Sequence, residues 1–378
     1  MKKELRTLID ATSTPLSSIF GSGFLVIVPI LAGAVGKYSV VAMAAVCAFA
    51  YAVGSVIRFN IRNAEPALAD NPSEMTLSME RSSDFALVLA YVISVCLYLH
   101  ILSSFVLGGF GADTPLNENL LTTAIVLGIM AIALMKGLDA LGRLEEIGLY
   151  VTLLIIVLLL VGFSIFDLKA MQSADGIVMP EATTHTPWDV LTIVAGTLIV
   201  VQGFETSRYL EKDFDVEIRV RSSRLSQIIS TVVYLLFIAV ALPVVHTLNG
   251  QYDDNSLLRL VGTAVAVLVA PLIIAAALSQ FSAAVADTLG ATGNMEEATH
   301  GHLSARWGTL FVGIGAIALS WSANTEQILA IASRAFAFYY FLQCLVAFSV
   351  CPSAGKRVGI LAVAAVLLFI TVFAVPAG

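Results

Sequence analysis

The chain has 378 residues, of which 58% are hydrophobic and only 12% charged, and its formal net charge is −7. Soluble domains carry about a quarter charged residues, so a chain this apolar needs a lipid bilayer around it. Its basic residues are dispersed rather than clustered, which argues against a nucleic-acid partner.

The apolar runs predict an all-α membrane protein with about eleven transmembrane helices, because a bilayer core of about 30 Å needs about 20 apolar residues per helix. The runs lie at 16–35, 38–61, 84–110, 118–136, 146–166, 188–208, 226–247, 257–290, 306–322, 326–350 and 357–376. The connections between them are short. We therefore expect residues 1–378 to form a single membrane transport domain.

The basic residues indicate how the chain is oriented. With the N-terminus in the cytoplasm, sixteen of the twenty lysines and arginines fall in inner segments, and only Lys37, Lys169 and Arg259 fall in outer ones. Cytoplasmic loops are enriched in Lys and Arg. The sequence thus predicts a multi-pass protein of the cytoplasmic (inner) membrane with its N-terminus inside and its C-terminus outside.

Glycines interrupt two of the predicted spans, about half the chain length apart. The first span contains Gly21-Ser22-Gly23-Phe24, and the sixth contains Gln202-Gly203-Phe204-Glu205. Lipid offers no replacement for lost backbone hydrogen bonds, and a carboxylate inside a span marks a functional site by default. Such paired interruptions are typical of inverted-repeat transporters with a binding site near the middle of the membrane.

Two alternatives to this interpretation stay open. Gly21 and Gly23 could instead allow close packing between helices, as small residues often do in membranes. Gly196-Thr197 is a rival position for the break in the sixth span, although no charged group accompanies it.

Several motifs together resemble the amino acid–polyamine–organocation (APC) superfamily. Ile19-Phe20-Gly21-Ser22-Gly23-Phe24 is similar to the glycine signature of its first helix. Gly203-Phe204-Glu205, with the basic stretch from Arg219 to Arg224, resembles its sixth helix and the loop that follows. Phe281-Ser282-Ala283-Ala284 and Leu289-Gly290-Ala291 resemble its long eighth helix.

The resemblance implies the LeuT-type five-plus-five inverted repeat with broken helices 1 and 6. Repeat one would span about 14–166, repeat two about 188–350, and an extra helix about 357–376. It also implies alternating access, with substrate held between the first and sixth helices. The residues that would then bind substrate are Gly21, Ser22, Gly23, Phe24, Gln202, Gly203 and Phe204.

The same resemblance suggests roles for individual groups in that site. Backbone amides at Gly21 to Gly23 would bind a substrate carboxylate, because half-helix N-termini favour anions. Phe204 would gate the site. Glu205 would tie the sixth helix to its neighbours or carry a proton.

Two further charged residues lie inside predicted spans. Asp287, near the inner end of the eighth helix, could carry a proton, since a poorly solvated carboxylate has a raised proton affinity. Arg334 lies in the tenth helix, where it either faces an outer vestibule and pairs with an acidic group as part of a gate, or extends toward the membrane surface or caps a structural carbonyl. The two residues are expected to act in coupling or gating together with Glu205.

A sodium site between the first and eighth helices is common in this fold. Ser279 and Ser282 are three residues apart and share one helix face, so they are candidate ligands. Residues 147–166 contain no lysine, the residue that some proton-coupled relatives place there. Sodium is therefore the favoured coupling ion, and the proton is the alternative; both serines could instead bond to their own helix. No other cofactor is expected.

These observations predict a secondary active transporter that imports a small amino acid or organic amine down a cation gradient. An inorganic ion transporter on the same fold is the first alternative, and a receptor or structural membrane protein is the second. No nucleophile–His–acid set or phosphate-binding loop indicates an enzyme. We expect His100 to be a packing residue rather than a ligand, and Tyr339 and Tyr340 are candidates for cavity lining.

Overall fold

The computed structural model describes residues 2–70, 72–136, 143–173, 176–181, 185–299 and 302–376, and this part of the chain is helical with no strand. The α-helices are α1 (Lys2–Ser22), α2 (Ile27–Val35), α3 (Ser39–Phe59), α4 (Glu65–Ala69), α5 (Glu74–Gly109), α6 (Pro115–Lys136), α7 (Arg143–Gln172), α8 (Pro187–Ala195), α9 (Val216–Ala241), α10 (Ser256–Val265), α11 (Val269–Ala298), α12 (Ala305–Ser320), α13 (Thr325–Val350) and α14 (Ala354–Phe373).

Eight helical stretches of the described residues are long and apolar enough to cross a membrane. The expectation of an all-α, multi-pass membrane protein is thereby confirmed. Three of the eleven predicted spans do not form a membrane-crossing stretch of their own. The first is divided between α1 and α2, the sixth keeps only the nine residues of α8 as α-helix, and the ninth is the 16-residue α12. The count of eleven therefore stays a prediction.

The long helix α5 lies at the centre of the bundle. It packs against α11 and α13 most extensively, and also against α6 and α12. Most of its side chains between Ala86 and Phe105 are buried. A helix that is apolar on all sides belongs in the interior, which explains why α5 is surrounded by other helices rather than by lipid.

Local sequence signals fix where two of the helices begin. Thr186 and Asp189 form a capping box at the start of α8, and Asn324 and Gln327 form another at the start of α13. In each box a side chain satisfies a backbone N–H that the first helical turn leaves free. Both boxes lie at the end of the bundle where α14 finishes. We call this the C-terminal end, and the end where α1 begins the N-terminal end.

A glycine allows α3 and α9 to pack closely. A Cβ placed on Gly54 would lie 2.6 Å from Cδ of Gln227. The Gln227 side chain is fixed there, because Nε2 donates to the carbonyl of Ala50 at 2.8 Å and Oε1 accepts from Arg58 at 2.5 Å. The α3–α9 contact therefore has no room for a methyl group at residue 54.

We expect Gly54→Ala to destabilise the protein by about 1–3 kcal/mol, the usual range for overpacking a well-packed contact. The measurement is the thermal unfolding midpoint of the detergent-purified protein. Gly128→Ala on α6 is the matched control, because nothing lies within 4 Å of a Cβ at that position. Equal midpoints for the two variants would contradict this account of the contact.

Candidate functional site

The first break separates α1 from α2. The α-helix ends at Ser22, residues 23–26 form a turn, and the chain becomes helical again at Ile27. The carbonyl of Gly23 accepts a hydrogen bond from the Ile27 amide at 3.1 Å, so the new helix begins almost at once. The interruption predicted at this glycine pair is therefore present. The side chain of Ser22 lies outside the described part of the structure.

The second break lies between α8 and α9 and has two parts. The α-helix ends at Ala195, and two 3₁₀ segments follow, Leu198–Val201 and Phe204–Leu210, with Gln202, whose backbone is extended, and Gly203 between them. Gly203 has φ of +121°, and a Cβ there would lie 2.7 Å from the backbone nitrogen of Ile19. Only glycine meets both demands. The rival position at Gly196-Thr197 is thus also a departure from α-helix, in addition to the one at Gly203.

The two breaks pack directly against each other. A Cβ on Gly23 would lie 2.6 Å from the Cα of Val200, and one on Gly21 would lie 2.9 Å from the Cβ of Ala283 on α11. Phe24 is buried, with its ring 4.6 Å from that of Phe237 on α9. In this conformation the two glycines serve close packing, which is the alternative noted for them, and the space beside them is filled by protein.

Side chains from distant helices bind the carbonyls that the breaks expose. Tyr234 of α9 reaches both breaks, since its hydroxyl lies 2.9 Å from the carbonyl of Ile19 and 2.9 Å from that of Val200. Gln280 of α11 donates to the carbonyl of Gly21. Ser333 of α13 donates to the carbonyl of Gly196 at 2.6 Å and accepts from the amide of Ile199 at 3.1 Å. These side chains supply the partners that lipid does not.

Glu205 is fully buried beside the second break. Its Oε2 accepts hydrogen bonds from the Gly203 amide at 2.8 Å and from the Tyr340 hydroxyl at 2.6 Å. The ring of Phe204 stacks on that of Tyr340, with centroids 5.4 Å apart. Tyr340 therefore contacts both Glu205 and Phe204. Within the described residues Glu205 forms no ion pair, and its Oε1 has no hydrogen-bond partner.

Two further buried oxygens near the breaks also have no partner among the described groups. Gln202 donates from Nε2 to the Tyr98 hydroxyl at 3.1 Å, which leaves its Oε1 unpaired, and Gln280 Oε1 is unpaired as well. Buried acceptors without a donor are unfavourable and uncommon in native proteins. Amide and carboxylate oxygens are also the ligands that hard cations prefer. Each of these oxygens is therefore of a type that a cation could bind.

A small cavity of about 10 Å³ lies where the sequence predicted a sodium site. Phe24 and Leu25 of the first break line it together with Thr152 of α7 and Ser279 of α11, and apolar residues complete the lining: Ile155, Leu272, Ala275 and Ala276. Thr152 Oγ1 is buried and unpaired among the described residues. The volume of the cavity is about that needed to hold a single water molecule. Thr152 was not anticipated from the sequence, because no motif distinguishes it from other threonines in spans.

The second predicted sodium ligand has a different contact. The Ser282 hydroxyl donates to the carbonyl of Ser279 at 3.1 Å, so it bonds to its own helix. It also lies close to Gly148 of α7, where a Cβ would come within 2.7 Å of the serine oxygen. Ser279 is thus the serine of the pair that lines the cavity.

Asp287 and Arg334 make contacts of other kinds. Asp287 accepts a hydrogen bond from Ser94 of α5, between α5 and α11. Arg334 donates from Nε to the carbonyl of Thr371 at 2.9 Å, and from its guanidinium to the carbonyl of Val372. A basic side chain on these last carbonyls stabilises the end of α14. The structure therefore gives Arg334 the capping contact that was its alternative role.

A larger cavity of about 570 Å³ opens at the N-terminal end of the bundle. Arg208 lines it and pairs with Glu80 and, at 3.5 Å, with Glu65. Arg219 also pairs with Glu65, at 2.7 Å. The two arginines and the two glutamates thus form a partly buried network in which positive and negative charges are equal in number. This pairing was not predicted from the sequence, because its members come from four separate helical segments.

Tyrosines connect this cavity with Glu205. Tyr209 lines the cavity, and its hydroxyl lies 3.4 Å from that of Tyr339. The Tyr339 ring lies 5.1 Å from the ring of Tyr340, which bonds to Glu205. The buried carboxylate is therefore only three aromatic side chains away from the open N-terminal end.

A family model described as APC superfamily transporter matches residues 3–374 of this chain. The chain belongs to the APC superfamily. An uncharacterized protein of Aquifex aeolicus (strain VF5) is 38% identical over 380 residues, which cover 98% of this chain and 91% of that protein. The family predicted from the glycine motifs is thus confirmed for this APC superfamily member.

Solved structures share its fold. A manganese transporter of Eremococcus coleocola, in complex with an aromatic bis-isothiourea substituted compound, aligns with a TM-score of 0.58 and 12% identity over 97% of this chain and 85% of that one. A point mutant of the same transporter aligns with a TM-score of 0.54 and 13% identity over the same shares. At such identities the likeness concerns the fold alone.

We expect Tyr234→Phe to destabilise the protein by about 1–2 kcal/mol, because it removes the hydroxyl from carbonyls of both breaks. Thermal unfolding of the detergent-purified protein measures this. Tyr150→Phe on α7 is the matched control, since Tyr150 is 57% exposed on the bundle surface. If Tyr234→Phe unfolded at the wild-type temperature, the hydroxyl would not support the breaks.

Proposed function

We propose that this APC superfamily member is a secondary transporter that moves a small inorganic cation by alternating access, with Glu205 at the binding site. The observation that carries the proposal is the state of this carboxylate, which is fully buried, lacks an ion pair within the described residues and has an unpaired Oε1. An isolated charge in a poorly solvated interior is unfavourable. A bound cation would remove that cost.

The surroundings of Glu205 favour an ion over an amino acid or organic amine. Gly23 and Gly203 approach the opposite break so closely that a methyl group would not fit. A small ion would need only the displacement of side chains, whereas an organic solute would need the two segments to separate. The unpaired oxygens of Gln202 and Gln280 could add hard ligands. The manganese transporter that shares the fold also supports the proposal that the substrate is an ion.

We further propose sodium as the coupling ion, at the cavity between the first break, Thr152 and Ser279. This sodium site is supported by the unpaired hydroxyl of Thr152 and by the small volume of the cavity, which suits a single ion. The proton is the alternative, and Glu205 would then carry it. Proton coupling is supported by the row of tyrosines that leads from the N-terminal cavity to the Glu205 carboxylate.

The proposed architecture is the LeuT-type five-plus-five repeat with α14 added. The two breaks at corresponding positions support it. The basic residues support an N-terminus in the cytoplasm. With that orientation, the 570 Å³ cavity at the N-terminal end makes the present conformation one that opens toward the cytoplasm.

A thermal-shift screen of the detergent-purified protein tests the substrate class. We expect one or more of sodium, potassium, magnesium, calcium and manganese ions to raise the unfolding temperature by mass action, and amino acids and amines to leave it unchanged. Glu205→Gln should abolish the shift for the transported cation. Glu74→Gln, an exposed residue in the first turn of α5, is the matched control and should keep it. A shift by an amino acid alone would overturn the proposal in favour of the organic substrate.

Thr152→Val tests the coupling site, because valine has nearly the shape of threonine but offers no oxygen ligand. We expect the sodium concentration that drives half-maximal cation uptake into proteoliposomes to rise at least tenfold. Thr263→Val is the control, since Thr263 lies on the surface of α10 and bonds to the carbonyl of Arg259 on its own helix. An unchanged half-maximal sodium concentration in Thr152→Val would exclude Thr152 from the sodium site. Wild-type uptake that needs no sodium and is driven by a pH gradient would replace sodium by the proton.

A further inference from the structure

Three potential metal ligands meet at the C-terminal end of the bundle. They are His100 of α5, Glu118 in the first turn of α6, and Asp254 in the segment before α10. One ligand atom from each lies within 4.8 Å of the other two. His100 and Glu118 are buried and Asp254 is partly exposed. They come from three separate segments, so the fold alone brings them together.

The spacing of the buried pair fits coordination better than a direct hydrogen bond. Nε2 of His100 lies 3.6 Å from Oε2 of Glu118. An N–H···O hydrogen bond is 2.7–3.2 Å long. Two ligands on a tetrahedral metal, each about 2.1 Å from it, lie roughly 3.4 Å apart. The two atoms are therefore separated by about the distance that a shared ion would impose.

Neighbouring groups hold these side chains in position. The Ser320 hydroxyl lies 3.5 Å from Nδ1 of His100 and 3.1 Å from Oδ1 of Asn119. The Thr325 hydroxyl donates to the carboxylate of Asp254. Partners of this kind orient metal ligands and tune their basicity. Nε2 of His100 faces Glu118, while Nδ1 faces Ser320.

An acidic cavity gives access to the cluster. It has a volume of about 170 Å³, and the carboxyl-bearing residues Asp253, Asp254 and Glu326 line it. Asp254 thus belongs to both the cavity and the cluster. A cation beside these carboxylates would be stabilised by them.

We propose that His100, Glu118 and Asp254 bind a divalent transition-metal ion, such as Zn²⁺, at a site separate from the one at Glu205. One imidazole nitrogen and two carboxylate oxygens form a ligand set that such ions accept. Three protein ligands leave a fourth position toward the cavity. A bound ion would join α5, α6 and the segment before α10, so it would stabilise this end of the bundle.

Titration of the full-length, chelator-treated protein in detergent tests the proposal. Isothermal titration calorimetry with Zn²⁺ should show one site per chain, and Co²⁺ should give a visible absorption spectrum typical of mixed nitrogen and oxygen ligands. We expect Kd for Zn²⁺ to rise at least tenfold in His100→Gln and in Glu118→Gln. His246→Gln is the matched control. His246 is the histidine whose Nδ1 faces the carbonyl of Pro243, and its variant should bind as the wild type does.

The outcomes separate this site from the proposed transport site. Glu205→Gln should keep the Zn²⁺ site, because Glu205 is not one of its ligands. Zn²⁺ binding lost in Glu205→Gln but unchanged in His100→Gln and Glu118→Gln would overturn the proposal. If His100→Gln fails to fold without metal, as judged by its unfolding midpoint, Glu118→Gln decides the question. Wild-type affinity in that variant would equally overturn it.

Discussion

The lack of hydrogen-bonding partners in lipid is the constraint on which this structure depends. Every backbone group inside the bilayer must find a partner in the protein, so a spanning helix can be interrupted only where other helices replace the lost bonds. Tyr234, Gln280 and Ser333 do this for the two breaks, and they come from α9, α11 and α13. The breaks can therefore exist only in the assembled bundle.

The same constraint separates the charged side chains into two groups. Arg208 and Arg219 lie with Glu65 and Glu80 in a balanced network, and Arg334 caps the end of α14. These contacts compensate for the loss of water. Glu205 has only neutral hydrogen-bond donors, and one of its oxygens has none within the described residues. This difference in pairing, more than its depth in the bundle, is the basis for the proposal that Glu205 binds a cation.

The sequence predicted the interruptions but not what fills them. Glycines and a carboxylate inside apolar runs are local signals, so the breaks at Gly23 and Gly203 and the family could be found from the residues. Close packing at Gly23 depends on Val200, which is far away in the chain, and the contacts of Tyr234 depend on its helix facing both breaks.

The same holds for the candidate ion sites. Thr152 and the cluster of His100, Glu118 and Asp254 carry no local pattern at all. A site whose residues come from several helices can be identified only from the packed structure, because the residues are far apart in the sequence. The family resemblance pointed to Ser279, but only the packed bundle shows Thr152 across the cavity from it.

The contact between the breaks also limits how a transport movement can begin. The Tyr234 hydroxyl lies equally far from the carbonyls of Ile19 and Val200, yet a hydroxyl has a single hydrogen to donate. At any moment it can fully satisfy only one of the two. Separating the segments therefore removes at most one complete bond from Tyr234, and the hydroxyl can stay with either segment. The close contact of Gly23 with Val200 would be lost in the same movement. Separating the two breaks at Tyr234 therefore loses little hydrogen bonding. Separating the helices at Arg208 would instead break its two ion pairs, with Glu65 and Glu80.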